Sequence, residues 1–199
     1  MRLPIKELLL CLTLALVGTA NAVEIAGAKI EETSQALATN TPLVLNGAGI
    51  RYKVSIFKVY VAALYLTETK NTTDAVLALA GPKKINLSML RDVSSDTMGQ
   101  AFMDGVKRNT SMADRAKLLD QFLKFGQLFS TVPELKKGDV ITMEWTPNVG
   151  TNMYVNGKKL GETFLDVAFF NAVLKIWLGD NPVDGSLKNK LLGISGDKH

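Results

Sequence analysis

A chain of 199 residues with a net charge of +4 is long enough to bury one ordinary hydrophobic core and is only mildly basic. Its lysines and arginines are scattered along the sequence, so the composition gives no reason to expect binding to nucleic acid or to an anionic membrane. The only cysteine, Cys11, excludes an intramolecular disulfide, and the only histidine, His199, is the last residue and a poor metal ligand or catalytic base. We predict no metal site and no cofactor.

The first 22 residues have the three zones of a secretory signal peptide. Arg2 and Lys6 supply positive charge, residues 8–17 are apolar, and Ala20-Asn21-Ala22 provides the small residues that signal peptidase recognises. The alternative interpretation is a membrane anchor, but an apolar run of about ten residues is short of the roughly 18 to 20 that span a bilayer. We therefore predict cleavage near Ala22, one domain over residues 23–199, and a periplasmic or secreted protein without a stable membrane anchor.

The first half of the predicted domain is dominated by strands. Its predicted elements are an edge strand at 23–33, a glycine-rich bend at 46–49, strands at 50–54 and 56–66, a short helix from Thr73 or Asp74 to Ala80, and a strand at 83–93. The strand at 56–66 is apolar on both faces, which is typical of the middle of a covered sheet.

The second half alternates helices with short strands. The predicted elements are a helix from Ser94, Ser95 or Asp96 to about Asn109, a helix from about Met112 to Phe129, strands at 139–146, 152–155 and 158–162, and helices at 164–178 and 184–192. Asn156-Gly157 is a strong signal for a hairpin turn between the last two strands. This order predicts an α+β fold in which a large, mainly antiparallel sheet carries helices on one face.

Arg51 is the first candidate for a functional residue. A hairpin that turns near Ser55-Ile56 places Arg51 opposite Tyr60, on a strand that is otherwise apolar on both faces. A guanidinium beside a phenol hydroxyl can bind a carboxylate or an enolate-like oxygen. The alternative is a surface arginine whose aliphatic stem lies along an aromatic ring.

The helix that ends near Asn109 provides a second candidate. Met98, Phe102, Val106 and Asn109 fall on one stripe of this helix, so an amide lies on its predicted core-facing side. Asn109 either contacts a ligand or caps the end of the helix.

Two segments, Asn46-Gly47-Ala48-Gly49-Ile50-Arg51 and the run from Lys58 to Leu66, resemble the chalcone isomerase-like superfamily. Residues 102–109, 172–174 and 178–179 are similar to its helices, and the resemblance covers most of the predicted mature chain. It implies an open-faced β-sandwich, in which helices pack on a large antiparallel sheet.

The resemblance also assigns roles to the candidate residues. In the plant enzymes of this superfamily an arginine, a threonine, a tyrosine and an asparagine polarise the ligand cleft; the arginine matches Arg51 and the asparagine matches Asn109. Tyr60 stands where the enzymes have threonine, and Phe102 where they have the catalytic tyrosine. Loss of such a donor costs about 2.7 to 4 kcal/mol in the transition state, so flavonoid cyclisation is not expected. The non-catalytic branch binds fatty acids through an arginine and a tyrosine, which match Arg51 and Tyr60.

Three functional hypotheses follow. The leading one is an exported, non-catalytic binding protein for a fatty acid or a similar amphipathic carboxylate, with Arg51, Tyr60, Phe102 and Asn109 as ligand-binding residues and no catalytic residue. The second is an intramolecular lyase or isomerase that acts on an enone, and the third is an interaction module whose cleft is filled by its own side chains. Further candidates for the cleft wall, each of which could instead be ordinary core, are Val59, Val61, Val106, Phe122, Phe169 and Phe170.

Overall fold

The computed structural model describes residues 21–54, 56–132 and 134–194. The predicted signal peptide therefore lies, except for its last two residues, outside the described part of the chain. The strands are β1 (Ala22–Ile25), β2 (Ala28–Glu31), β3 (Thr33–Gln35), β4 (Pro42–Lys53), β5 (Phe57–Leu66), β6 (Lys83–Met89), β7 (Val93–Ser94), β8 (Glu134–Leu135), β9 (Val140–Thr146), β10 (Gly150–Val155) and β11 (Lys158–Phe164). The helices are α1 (Thr73–Ala78), α2 (Ser95–Asn109), α3 (Met112–Lys117), α4 (Leu119–Ser130), α5 (Val167–Leu178) and α6 (Gly185–Leu191).

Seven of the described strands form one antiparallel sheet in the order β11-β10-β9-β6-β5-β4-β3. One face of this sheet buries the main hydrophobic core against the helices. The helices contribute Val76 (α1), Phe102 (α2), Phe122 (α4), Phe169 (α5) and Leu187 (α6) to that core. The prediction of an α+β fold with helices on one face of a large antiparallel sheet is confirmed.

β5 runs through the middle of the sheet and is buried on both faces, as its sequence predicts. Ala62, Leu64 and Leu66 face the helices, whereas Val61 and Tyr65 face a smaller core on the opposite side. This second core includes Ile30 of β2. The predicted edge strand at 23–33 is therefore wrong in detail, because β1 and β2 form a hairpin of their own that covers the far face.

The bend predicted at 46–49 does not separate two elements, since β4 continues through it as one strand of 12 residues. The irregularity that remains there is a shift of the pairing with β5 between Leu45 and Gly47. The glycines instead allow close packing, because α6 lies directly on them. A Cβ on residue 47 would overlap the carbonyl oxygen of Lys190 and lie 2.9 Å from that of Leu191, and a Cβ on residue 49 would lie 2.8 Å from Cδ of Lys190. The absence of side chains at Gly47 and Gly49 allows the helix to approach the strand.

Gly47→Ala is expected to lower the free energy of unfolding by roughly 1 to 3 kcal/mol, because the added methyl group meets backbone atoms of α6 that a rotamer change cannot move aside. Gly185→Ala is the matched control, since a Cβ at residue 185 meets no atom within 4 Å. Chemical denaturation measures both. Equal stability of the two variants would contradict the close packing of α6 on β4.

Two predicted helices have different limits in the structure. The single helix predicted at 112–129 is divided at Leu118, whose backbone leaves the helical region with φ −105° and ψ 9°. This break buries Leu118 while α3, which has no buried residue, lies on the surface. α5 begins at Val167 and not at Phe164, because Asp166 caps it by accepting a hydrogen bond from the Ala168 N–H at 2.8 Å. Within the described residues, no helix has the length and apolar character needed to cross a bilayer.

Candidate ligand-binding site

The site begins with an irregularity in the β4–β5 hairpin. Arg51 pairs with Tyr60, as the sequence predicts, but the next pair is Tyr52 with Lys58. Val59 is thus the extra residue of a β-bulge, a feature that often redirects side chains beside functional sites. As a result, Val59 and Tyr60 both face the helix side of the sheet although they are consecutive in sequence.

Tyr60 is buried, and its hydroxyl has one described hydrogen-bond partner. The indole Nε1 of Trp177 donates a hydrogen bond to the Tyr60 Oη at 2.8 Å. Because this bond uses the oxygen as an acceptor, the hydroxyl proton of Tyr60 is left to donate elsewhere. The Cζ of Arg51 lies 5.7 Å from the centroid of the Tyr60 ring, within the range of a cation–π contact.

Burial raises the pKa of Tyr60 to about 12, against the opposing effects of the Arg51 charge and of the Trp177 hydrogen bond. The phenol is therefore neutral at physiological pH and acts as a hydrogen-bond donor. Arg51 is half-buried and forms no hydrogen bond or ion pair with another residue among those described. The pair offers a guanidinium and a phenol proton to an acceptor that none of the described residues supplies.

The pKa of Tyr60 predicts a stability change at high pH. Since the folded-state pKa lies above the ordinary value of 10.0, the neutral phenol contributes stability that is complete below pH 10 and is lost as the pH approaches 12. The Tyr60→Phe variant should therefore lose about 2 kcal/mol less of its unfolding free energy than the wild type between these pH values. Denaturant titrations at pH 9 and pH 12 measure the difference. If the wild type and Tyr60→Phe lost the same unfolding free energy between pH 9 and pH 12, a buried, protonated Tyr60 would be contradicted.

Arg51 and Tyr60 line a cavity of about 270 Å³ between the sheet and helices α2, α4 and α5. Its apolar lining consists of Val59, Leu87, Val93, Met98, Ala101, Phe102, Phe129, Ile141, Met143, Ile176, Trp177 and Val183. Its polar lining consists of Arg51, Lys53, Tyr60, Arg91, Asp92, Ser94 and Thr97.

The polar and apolar residues of the cavity are separated by depth. The solvent-exposed lining residues are all polar: Lys53, Arg91, Asp92, Ser94 and Thr97. Except for Tyr60, the buried ones are all apolar, from Val59 and Leu87 to Ile141 and Trp177. The cavity therefore has a polar mouth and an apolar interior, and Arg51 with Tyr60 lies between the two.

The mouth is positively charged. Lys53 and Arg91 line it together with one carboxylate, Asp92, and Arg51 lies below them. Asp92 is already engaged outside the cavity, because it accepts a hydrogen bond from the Lys137 N–H at 2.7 Å and pairs with the Lys136 ammonium at 3.5 Å. These contacts hold the pKa of Asp92 below its usual value, the Lys137 bond having the larger effect. The arrangement favours an anionic group at the mouth.

A sequence profile of the family described as chalcone isomerase-like matches residues 22–193, nearly the whole chain. The chain belongs to the chalcone isomerase-like family. A search of solved structures finds similarity to the fatty-acid binding protein AtFAP1 of Arabidopsis thaliana, with a TM-score of 0.55 and 14% sequence identity over 81% of this chain and 96% of that one. At that identity the likeness shows a shared fold. Comparison with curated proteins finds no significant match.

Of the four ligand-binding residues predicted for this chalcone isomerase-like protein, the structure brings three to the cavity: Arg51, Tyr60 and Phe102. Phe102 belongs to the apolar wall and packs on Phe125, with 4.6 Å between the ring centroids. Asn109 is not part of the cavity lining. Its amide donates to the carbonyl oxygens of Gly105 and Asn181 and accepts from the Asn181 N–H, so it is used to join the end of α2 to the loop after α5.

Of the other residues predicted for the cleft wall, one lines the cavity and the rest do not. Val59 lines the cavity. Val61 faces the opposite side of the sheet, and Val106, Phe122, Phe169 and Phe170 belong to the main core without lining the cavity. A cavity beside Arg51 argues against a cleft filled by the protein's own side chains, and the interaction-module hypothesis stays a prediction.

Trp177 is the functional residue that sequence reasoning missed. It stands near the end of α5, a helix that is buried along most of its length. A buried indole normally finds an acceptor for its N–H, so a tryptophan in a mostly apolar helix was the available signal. The identity of the acceptor, on β5, depends on tertiary packing alone.

Proposed function

We propose that this chalcone isomerase-like protein is an exported, non-catalytic binding protein for a fatty acid or a similar amphipathic carboxylate. The observation that carries the proposal is the cavity itself. Cations lie at its mouth, the Arg51 guanidinium and the Tyr60 phenol lie below them, and the interior is apolar. A fatty acid or similar anion matches this arrangement, because it has a charged group at one end and an apolar chain behind it.

In the proposed complex the carboxylate lies between Arg51 and Tyr60. The guanidinium provides paired N–H donors and the charge, and the Tyr60 hydroxyl adds one further hydrogen bond. Trp177 holds the phenol oxygen at 2.8 Å and so directs its proton away from the indole. A charged partner adds about 1.5 to 3 kcal/mol through such bonds.

The acyl chain supplies most of the affinity. A cavity of about 270 Å³ has room for on the order of ten groups of the size of a water molecule or a methylene. Each buried methylene contributes about 0.8 kcal/mol, so affinity should rise about fourfold for each carbon added until the cavity is full. In a series of fatty acids of increasing length, the length at which the affinity stops rising measures the depth of the cavity.

Two comparisons support the assignment to a ligand class. The family match establishes the fold in which the cavity lies, and AtFAP1, which shares that fold, is described as a fatty-acid binding protein. Export is proposed from the N-terminal sequence, in which a basic start, an apolar run and Ala20-Asn21-Ala22 have the features of a cleaved leader.

Calorimetric titration with dodecanoic acid tests the head-group site. Arg51→Ala should weaken binding about ten- to a hundredfold, because it removes the charge-assisted bonds and leaves the apolar wall intact. Arg51→Lys should be intermediate, since an ammonium keeps the charge but not the paired donors of the guanidinium.

Arg108→Ala is the matched control, because Arg108 is exposed and does not line the cavity. Equal affinities of the wild type, Arg51→Ala and Arg108→Ala for the acid would contradict the proposal. The same preparations address the isomerase hypothesis, which stays a prediction: loss of chalcone absorbance on incubation with the wild type would support it.

A further inference from the structure

The tip of the β4–β5 hairpin exposes large apolar side chains. The exposed fractions are 76% for Val54, 70% for Ile56 and 51% for Phe57. β4 ends at Lys53 and β5 begins at Phe57, so these residues project from the end of the sheet and are not part of either core. Exposed apolar side chains concentrated in so short a segment indicate a contact surface.

Basic residues surround these apolar side chains. Lys53 and Lys58 are exposed on the two arms of the hairpin, and the Cζ of the exposed Arg91 lies 5.9 Å from the centroid of the Phe57 ring. Residues 50–60 contain no acidic residue. We call the six residues Lys53, Val54, Ile56, Phe57, Lys58 and Arg91 the basic apolar tip.

The basic apolar tip is continuous with the mouth of the cavity. Lys53 and Arg91 belong both to the tip and to the cavity lining, and Arg51 lies two residues from Lys53 on the same strand. Any surface that the tip contacts is therefore beside the opening through which a ligand enters the cavity.

We propose that the basic apolar tip docks reversibly on an anionic lipid surface, with Ile56 and Phe57 inserted among the headgroups and the basic residues paired with lipid phosphates. The charge of the tip is complementary to such a surface, and the combination of apolar side chains with flanking lysines is that of interfacial membrane-binding segments. The sequence alone did not indicate this cluster of basic residues, because Arg91 comes next to the β4–β5 hairpin only in the folded protein. If the proposed function holds, docking sets the cavity mouth against the membrane from which an acyl ligand is taken or to which it is returned.

Cosedimentation of the purified protein with lipid vesicles tests the proposal. The wild type should bind vesicles of phosphatidylcholine in which a third of the lipid is phosphatidylglycerol, and should bind pure phosphatidylcholine vesicles much more weakly. Ile56→Ser/Phe57→Ser should weaken binding to the anionic vesicles at least tenfold. Lys53→Gln/Lys58→Gln should do the same, since each basic residue at a lipid surface contributes about fivefold. Added salt should weaken binding of the wild type more steeply than binding of this variant, which keeps only Arg91 of the three basic residues of the tip.

Met112→Ser/Leu165→Ser is the matched control for apolar exposure, because these side chains are 79% and 76% exposed and line no part of the cavity. Lys117→Gln/Lys158→Gln is the control for charge. Absence of wild-type binding to anionic vesicles, or equal loss in the tip and control variants, would overturn the proposal. Affinity for dodecanoic acid, measured without vesicles, should be unchanged in Ile56→Ser/Phe57→Ser, so failure of the docking surface is distinguishable from failure of the acyl site.

Discussion

Ala101→Trp should weaken the binding of dodecanoic acid about a hundredfold without unfolding the protein. Ala101 lies on α2 and lines the cavity, so an indole at this position occupies space that the acyl chain needs. At about 0.8 kcal/mol for each methylene, displacement of four methylenes costs about 3 kcal/mol, or two powers of ten in affinity. Because the cavity provides room, the free energy of unfolding should stay within about 1 kcal/mol of the wild type.

Ala116→Trp is the matched control for this substitution. Ala116 lies on the exposed face of α3 and is not part of the cavity lining, so the same indole there should leave the affinity unchanged. Calorimetry measures the affinity and chemical denaturation the stability. A folded Ala101→Trp protein that binds dodecanoic acid as tightly as the wild type would show that the acyl chain lies elsewhere.

The second large effect is expected at a buried ion pair on the far side of the sheet. The Lys84 ammonium lies 3.1 Å from the Glu144 carboxylate, and the two side chains are 4% and 2% exposed. Glu144 also accepts hydrogen bonds from the Leu37 N–H at 2.8 Å and from the Thr146 hydroxyl at 3.2 Å. The pair thus fastens the segment after β3 to the central strands β6 and β9.

Glu144→Gln should lower the free energy of unfolding by about 3 to 5 kcal/mol, because it leaves the Lys84 charge buried without a counter-ion. The amide keeps the shape of the carboxylate, so the loss measures the charge and not the packing. Glu162→Gln, which breaks the exposed pair of Glu162 with Lys124, should cost no more than about 1 kcal/mol.

Lys84→Met combined with Glu144→Leu should recover only part of this loss. The double substitution removes both charges, but the Leu37 N–H then lacks the carboxylate that accepts its hydrogen bond. Urea denaturation of the four proteins measures the series. Equal stability of Glu144→Gln and Glu162→Gln would show that the Lys84–Glu144 pair has no structural role.

Much of the fold could be predicted because its signals are local. The run from Val59 to Leu66 is apolar or aromatic on both faces, and this pattern predicts a strand in the middle of a covered sheet. The pairing of Arg51 with Tyr60 also follows from the sequence, because a short hairpin leaves few registers to choose from.

Other features depend on contacts between distant segments. Gly47 and Gly49 have the local appearance of a bend, and only the position of α6 explains why glycines lie within the continuous strand β4. Lys83 and Lys84 begin a strand whose pattern predicts apolar burial from Ile85 onward, yet both lysines are buried on β6. Burial lowers the pKa of Lys83 to about 8, and its Nζ donates to the Leu77 carbonyl oxygen at 3.0 Å.

The same distinction applies to the site. Arg51 and Tyr60 could be placed together because polar groups stand out on strands that are otherwise apolar, whereas Phe102 was assigned to the site through the family resemblance. Asn109 interrupts its helix in the same way, but its amide bonds the backbone of Asn181, a residue far along the chain. The Trp177–Tyr60 bond joins α5 to β5 and could not be predicted from the spacing of either element.

Native mass spectrometry of the gently purified protein tests the central claim most directly. We predict one acyl carboxylate for each wild-type chain, released at lower collision energy from Arg51→Ala and absent from Ala101→Trp. A wild-type protein that carries no lipid and takes up none when mixed with dodecanoic acid would contradict the account.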